Sequence, residues 1–324
     1  MFKAAIVGYG NVGKGADLAL SKCGDAKCVG IFTKRNPEDV TSLTGANVYP
    51  LSRLYEFSGK TDVLILCGGS ASELPENAPY YAERFNTVDS FDTHAKIPEY
   101  FEKMERAAKA NNKLCAISVG WDPGLFSLAR IVFESVLPRG KSYTFWGKGV
   151  SQGHTNAIKE ISGVKYAVAY TVPKRAAINA ARKGVGKVFT AREMQKRECF
   201  VVLEKNADKN AVINEIKNMP DYFSEYDTAV NIISEREFWL GHSRFPHGGS
   251  VIRRGVTGGN EKTSLDLSLK TSSNPQLTGE ILAAYARAVC KMRKAGFTGA
   301  VTAMDIPLKY LSEKDENELR RTML

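Results

Sequence analysis

Apolar positions fall in two rhythms along this chain. Up to about residue 120, short apolar runs alternate with segments whose apolar residues recur at helical spacing. Phe2-Lys3-Ala4-Ala5-Ile6-Val7, Lys27-Cys28-Val29-Gly30-Ile31-Phe32, Thr61-Asp62-Val63-Leu64-Ile65-Leu66-Cys67, Asn86-Thr87-Val88-Asp89 and residues 113–119 read as strands. Residues 14–22, 74–85 and 97–110 read as helices between them. Alternation of this kind predicts a doubly wound, mostly parallel sheet.

From about residue 121 the rhythm changes. A helix over 125–135 is followed by strand-like segments at 142–146, 164–171, 198–203 and 228–233, separated by Gly, Pro and Asn turns. That order predicts a second, α+β domain on a mainly antiparallel sheet. A helix over 278–295 carries Ile281, Leu282, Tyr285, Val289 and Met292 on one face,. The last residues, with Pro307 and Leu311, are expected to pack back on the first domain. Repeats and low-complexity segments are absent from the sequence,.

Gly8-Tyr9-Gly10-Asn11-Val12-Gly13 leaves the first strand and opens the first helix. In a Rossmann βαβ unit the first glycine makes the turn, the second lets backbone approach a pyrophosphate, and the third lets helix and strand pack closely. The pyrophosphate then sits at the positive end of the helix beginning near Asn11. At the end of the second strand an NAD site places Asp or Glu against the ribose 2′-OH. This chain has Thr33-Lys34-Arg35 there, a hydroxyl and two cations, which suit a 2′-phosphate that Arg can clamp bidentately. The expected cofactor is NADP(H), and a nicotinamide restricts the chemistry to hydride transfer. A solvated basic turn is the plainer alternative for those three residues. Cys67-Gly68-Gly69-Ser70 ends the central strand, at the carboxyl end where a parallel sheet faces its cofactor crevice.

With 324 residues the chain is long enough for two domains,. No apolar run reaches membrane-spanning length, and a strand starting at residue 2 or 3 leaves no room for a targeting segment. A cytoplasmic protein with no membrane partner is expected. Cys23, Cys28, Cys67, Cys115, Cys199 and Cys290 lack CxxC spacing, so they read as reduced, buried thiols and not as a disulfide framework or a metal site. The formal charge of +10 comes from dispersed Lys and Arg. Without aromatics arranged as a stacking platform, nucleic acid is not expected as a partner. An anionic cofactor and a dicarboxylate substrate account for part of the excess.

Four further clusters can carry chemistry. Asp89-Ser90-Phe91-Asp92-Thr93-His94 ends a sheet strand and should reach the cofactor crevice. Ser118-Val119-Gly120-Trp121-Asp122-Pro123-Gly124 joins the two domains, the usual place for a ligand cleft. Trp146-Gly147-Lys148-Gly149-Val150-Ser151-Gln152-Gly153-His154 is a Gly-rich loop that can offer N–H groups to a carboxylate. Pro246-His247-Gly248-Gly249 puts a histidine beside a flexible turn. Each also fits a structural role: Asp92 and Asp122 can cap helices, and His154 or His247 can be hydrogen-bonded structural histidines. Two carboxylates near a nicotinamide suggest a cationic group on the substrate, such as an amine.

Taken together, these segments resemble the meso-diaminopimelate dehydrogenase family. The likeness is carried by the glycine fingerprint, Gly30-Ile31-Phe32-Thr33-Lys34-Arg35, Thr87 to His94, Gly120-Trp121-Asp122-Pro123-Gly124, Thr144-Phe145-Trp146-Gly147, Ser151-Gln152-Gly153-His154, Met219-Pro220-Asp221-Tyr222-Phe223 and Pro246-His247-Gly248-Gly249. They run in the family's order over nearly the whole chain. The resemblance implies an α/β Rossmann domain over 1–120, with residues about 296–324 packing back on it, and an α+β substrate and dimerisation domain over 121–295. It implies a homodimer that oxidatively deaminates the D-centre of meso-2,6-diaminopimelate with NADP⁺, reversibly, in lysine biosynthesis.

The coenzyme would be held by Gly8, Tyr9, Gly10, Asn11, Val12, Gly13, Thr33, Lys34, Arg35, Cys67, Gly68, Gly69, Ser70, Ser90, Phe91, Asp92, Val119, Gly120, Trp121, Asp122 and Pro123. Asp92, Asp122, Trp121 and Trp146 would surround the D-amino-acid end, with Gln152 and Gly153 near its carboxylate. Thr171, Arg197, His247 and Asn274 would grip the distal L-end. Two unlike clamps are what a symmetric-looking zwitterion needs if one centre is to face the nicotinamide. Asp92, Asp122 and His154 are the expected catalytic residues. A carboxylate with a reference pKa of about 3.9 is a poor base for an ammonium some six units higher. Asp92 and Asp122 are therefore expected to orient the amine and stabilise the developing iminium, with water or His154 as proton acceptor. The segment His242-Ser243-Arg244-Phe245 is more aromatic and basic than the family pattern, and Asn274 is anchored only by the Asn-Pro step. Another NADP-dependent reductase, or a non-catalytic NADPH-binding regulator, are the other readings of the same residues.

Overall fold

The computed structural model describes residues 1–324 apart from Val185, Lys187 and Ser243; of the departing segment named above, Ser243 thus lies outside the described residues. By contact density the chain divides into two compact units, Met1–Leu128 with Pro275–Leu324, and Ala129–Asn274.

The first unit is built on β1 (Phe2–Val7), β2 (Ala26–Thr33), β3 (Val48–Pro50), β4 (Val63–Leu66), β5 (Thr87–Asp89), β6 (Leu114–Ala116) and, from the end of the chain, β14 (Gly299–Val301). They form one parallel sheet in the order β14-β6-β5-β4-β1-β2-β3. Ala4, Ala5 and Ile6 of β1 and all of β4 are buried, because helices cover both faces,. The helices are α1 (Asn11–Lys22), α2 (Glu73–Ala82), α3 (Ile97–Ala110), α10 (Asn274–Lys294) and the terminal α11 (Glu316–Met323). α3 buries Tyr100, Met104 and Ala108 at four-residue spacing, the stripe expected of a helix laid on a sheet,. The sheet order reverses beside β1, which pairs with β2 on one side and β4 on the other. Such a switch point is where a doubly wound sheet opens a crevice at its carboxyl ends.

α10 departs from the expected division. Counted with the second domain from sequence, it belongs almost entirely to the first unit, with the chain dividing at 128/129 and 274/275. The reason is local packing. Gly279 of α10 lies so close to Gly15 of α1 that a Cβ there would run into the Gly15 backbone. Farther along, Arg287 grips Asp25 through two nitrogens, at 2.8 and 2.9 Å.

The second unit holds β7 (Gly140–Trp146), β8 (Gly149–Val150), β9 (Val164–Pro173), β10 (Gln195–Leu203), β11 (Asp227–Ile232), β12 (His247–Thr257) and β13 (Glu261–Thr271). Its helices are most of α4 (Leu125–Val136), then α5 (Gln152–Lys159), α6 (Arg175–Lys183), α7 (Ala191–Met194), α8 (Lys209–Asn218) and α9 (Glu235–His242). Among the described residues the strands make two sheets, β11-β10-β9-β8 and β13-β12-β7, antiparallel except for the β10–β11 pair. Two expectations change here. The segment Pro246-His247-Gly248-Gly249 is not a flexible turn: His247 begins the long strand β12, hairpinned to β13. Its glycines permit close strand approach, since a Cβ on Gly248 would run into the Leu269 carbonyl. The Gly-rich loop after Trp146 contains a short strand, β8, and then the start of α5.

Candidate active site

Gly8 follows β1 at φ +91°, a left-handed conformation that favours glycine,. A Cβ on Gly13 would meet the Gly8 carbonyl oxygen, whereas one on Gly10 would meet nothing. The helix start is thus pressed against the strand end, with open space beside the second glycine. Gly10 caps α1 without a side-chain acceptor, so the first N–H groups of α1, at Asn11, Val12 and Gly13, remain available to an anion. These features fit a pyrophosphate. Tyr9 is buried, its hydroxyl bonded to the buried Asp17 carboxylate at 2.6 Å.

Arg35 reaches back from the end of β2 to the Tyr9 carbonyl at 2.6 Å, and the Thr33 hydroxyl accepts from the Arg35 N–H. Lys34 is exposed and paired with Glu73 at 2.9 Å. A cavity of about 290 Å³ links all of this: Gly8 to Gly10, Phe32 to Arg35, and Leu66 to Gly68. Glu73, Asn77 and Tyr81 of α2 and Leu51 also line it. Sequence reading missed those four, because nothing in a helix face tells which turn overlooks a crevice. Gly69 donates its N–H to Glu73, and Ser70 accepts the Asp92 N–H at 3.2 Å, which ties the β4 loop to the β5 loop.

Asp92 is exposed and Asp122 half-buried. The loops that carry them lie side by side: a Cβ on Gly120 would be 3.9 Å from that of Ser90, and Val119 donates to the Asp89 carbonyl at 2.9 Å. Trp121 packs edge-on against Phe126, and Pro123 follows Asp122 through a cis peptide bond. Phe91 and Val119 are fully buried. Their side chains belong to the core, so as expected cofactor contacts they can offer only backbone.

The remaining candidates gather in the second unit around β8. Gly149 pairs with Thr171, and Thr171 stands opposite Arg197 in the β9–β10 pair and bonds its guanidinium. A Cβ on Gly149 would run into the His247 ring, which explains the glycine. Gly147, after Trp146, donates to the Gly248 carbonyl at 2.7 Å. Asn274 donates its N–H to the Phe245 carbonyl, two residues before His247. Gln152 and Gly153 are exposed in the first turn of α5.

Arg197 is the chemical centre of this group. It is buried, lies over the Tyr226 ring at 4.1 Å, and its Nε has no partner. Among the described residues no carboxylate forms a salt bridge with it. A buried guanidinium without a counter-ion fits an anionic ligand. His154 shares the surroundings, with Nδ1 2.8 Å from the Ser151 hydroxyl and its ring edge-on to Tyr222 and Phe223. Burial, aided by the Arg197 charge, lowers its pKa to about 4. A ring held neutral so strongly is a poor proton acceptor for an ammonium. Of the two expected proton acceptors, water and His154, the histidine is thus the one whose Nδ1 is already engaged, by the Ser151 hydroxyl.

Residues 120–273 match the family described as the diaminopimelic acid dehydrogenase C-terminal domain. The chain is 51% identical over 322 residues to the meso-diaminopimelate D-dehydrogenase of Lysinibacillus sphaericus, covering 99% of both chains. Among solved structures it is similar to a multiply substituted meso-DAP dehydrogenase from Clostridium tetani with DAP, at 46% identity and TM-score 0.94, covering 100% of both. It is also similar to an engineered D-amino acid dehydrogenase bound to NADP⁺, at 37% identity and TM-score 0.86, covering 100% of this chain and 99% of that one. With the fingerprint, the aspartate loops and the second-unit residues all in one chain, and identity at this level from end to end, the protein belongs to the meso-diaminopimelate D-dehydrogenase family.

Proposed function

We propose that the protein catalyses the NADP⁺-dependent oxidative deamination of the D-centre of meso-2,6-diaminopimelate, giving L-2-amino-6-oxopimelate, ammonia and NADPH, reversibly, as a step of lysine biosynthesis in the cytoplasm. The observation that carries the reading is the buried Arg197, without a carboxylate partner among the described residues, in a chain that also has a dinucleotide fingerprint and Lys34 and Arg35 on the same cavity. One coenzyme and one anionic amino-acid end are thereby both provided for.

NADP⁺ supplies the hydride acceptor. The first unit serves as the coenzyme domain: the start of α1 holds the pyrophosphate, and Thr33, Lys34 and Arg35 hold the 2′-phosphate. Asp92 and Asp122, with Trp121 and Trp146, take the D-amine. Hydride loss from Cα needs a neutral amine behind it, and a carboxylate is too weak a base to hold that proton. The two aspartates therefore orient the amine and stabilise the iminium as positive charge develops. The displaced proton is released to bulk solvent, and His154, its pKa lowered to about 4, is no better a base for it than the two carboxylates. Water then adds to the iminium carbon and ammonia leaves. Gln152 and Gly153 hold the near carboxylate at the start of α5. Thr171, Arg197, His247 and Asn274 hold the distal L-amino-acid end.

The second unit also serves dimerisation. On α4, Ile131, Val132 and Val136 are exposed at 43, 55 and 61%, an apolar face that a second copy would cover.

The test is purified protein with NADP⁺ and, separately, the meso, LL and DD isomers, following reduced nicotinamide. Turnover with the meso isomer alone is expected. Equal turnover with LL would overturn the assignment of the D-centre, and tight NADPH binding without turnover of any isomer would leave only a coenzyme-binding protein.

A further inference from the structure

Asp89 closes β5 and is fully buried. Its Oδ1 accepts from the Phe91 N–H at 2.9 Å and the Ser118 N–H at 3.1 Å. Its Oδ2 accepts from the Tyr100 hydroxyl at 2.8 Å, and its main-chain carbonyl accepts from the Val119 N–H. Phe91 immediately precedes Asp92, and Ser118 and Val119 lead into Trp121 and Asp122. One residue thus holds the backbone of both aspartate loops. Ser118 needs such a hold. It sits at φ +56°, a left-handed conformation uncommon outside glycine, and its hydroxyl has no partner,.

We propose that Asp89 is a positioning residue of the reaction, its carboxylate fixing the relative placement of the loops that carry Asp92 and Asp122. It does not meet substrate, being sealed beneath Phe91 and Tyr100, whose rings pack at 4.3 Å. Tyr100, projecting from α3, locks the carboxylate so that Oδ1 faces the two loop amides. Two groups that must grip one developing cation need a fixed separation, and a displacement of about 1 Å can cost on the order of 100-fold in rate. The inference rests on the roles given above to Asp92 and Asp122.

The experiment compares Asp89→Ala, Asp89→Asn and Tyr100→Phe for kcat, both KM values, NADP⁺ binding and thermal midpoint. Asp89→Ala should lower kcat by about 100-fold with a smaller loss of NADP⁺ affinity, because the fingerprint and the β2 end are untouched and only the coenzyme contacts of the two loops shift. Asp89→Asn should recover to within about fivefold of the parent, since its amide oxygen still accepts both N–H groups and its nitrogen can donate to Tyr100. A folded Asp89→Ala protein with parental kcat would overturn the proposal. So would an Asp89→Asn protein as impaired as Asp89→Ala. If Asp89→Ala does not fold, Tyr100→Phe decides: a kcat loss of about five- to tenfold in a folded protein supports the inference, and an unchanged kcat sinks it. Asp92→Asn with full turnover would instead refute the role of Asp92, whatever Asp89 shows.

Discussion

Arg197 is a charge buried beside Thr171 and Tyr226, with no carboxylate in salt-bridge contact among the described residues. Such a group costs stability unless a ligand completes it, so its worth should be read in binding. Arg197→Gln is expected to raise KM for diaminopimelate by about 10- to 100-fold, the value of a charge-assisted hydrogen-bond pair, with little change in KM for NADP⁺. Steady-state kinetics with each substrate varied in turn checks this. Asp89 makes a second prediction. Burial pushes its carboxyl up to about 6 from 3.8, against the pull of the Phe91, Ser118 and Tyr100 hydrogen bonds. An acid with a raised folded pKa gives stability that is fully present below the unfolded value and is lost as pH rises through about 6. At about 1.4 kcal/mol per unit, the parent should lose about 2 kcal/mol relative to Asp89→Asn between pH 4 and pH 7, in paired urea titrations. His154 works the other way. Its lowered pKa gives stability that is present above 6.5 and is lost as pH falls toward about 4,. Both proteins carry His154, so the comparison with Asp89→Asn cancels it.

Among the elements, α1 has two close approaches, one at each glycine. At Gly13 it meets the end of β1, and at Gly15 it meets α10 near Pro275 and Gly279. The two contacts serve different ends, and substitution separates them. Gly13→Ala must push α1 away from the Gly8 carbonyl, which moves the N–H groups that face the pyrophosphate. It should weaken NADP⁺ binding by at least about tenfold, as measured by fluorescence titration. Gly279→Ala forces two helices apart far from the ligand. It should cost about 1–3 kcal/mol of stability and leave the KM for NADP⁺ near its parental value. A large rise in that KM would show that α10 also sets the fingerprint geometry. Arg287 adds a brace at the far end of the same helix, joining Asp25, Glu313 and the Leu311 carbonyl. Its guanidinium fills the centre of the Cys23, Asp25 and Glu313 group, which could otherwise be mistaken for a metal site.

At the scale of the whole molecule, the exposed apolar stripe on α4 is the feature a single copy leaves unexplained. If it is a subunit interface, Val132→Asp buries a charge there and should shift the protein toward monomer in sedimentation velocity. An unchanged sedimentation coefficient in a parent that is itself monomeric would remove the homodimer proposal. No helix among the described residues is long and apolar enough to cross a membrane. Two of the cations behind the formal charge of +10, Lys34 and Arg35, border the cavity of the first unit.

The local patterns determined much of this protein without tertiary information. Gly8 to Gly13 and the runs at 61–67 and 97–110 each carry their meaning within a few residues, because turn geometry and burial period are local properties. The buried face of α10, from Ile281 to Met292, was legible for the same reason. Contacts between distant segments were not. That His247 opens a strand and packs on Gly149, that α10 joins the first unit through Gly15, and that Arg197 finds Thr171 and Tyr226 depend on which strands and helices meet. Asp89 is the clearest case. In sequence it is one acid among several in a candidate loop. Only the fold, by bringing β5, β6 and α3 together, makes it the acceptor on which two loops are hung.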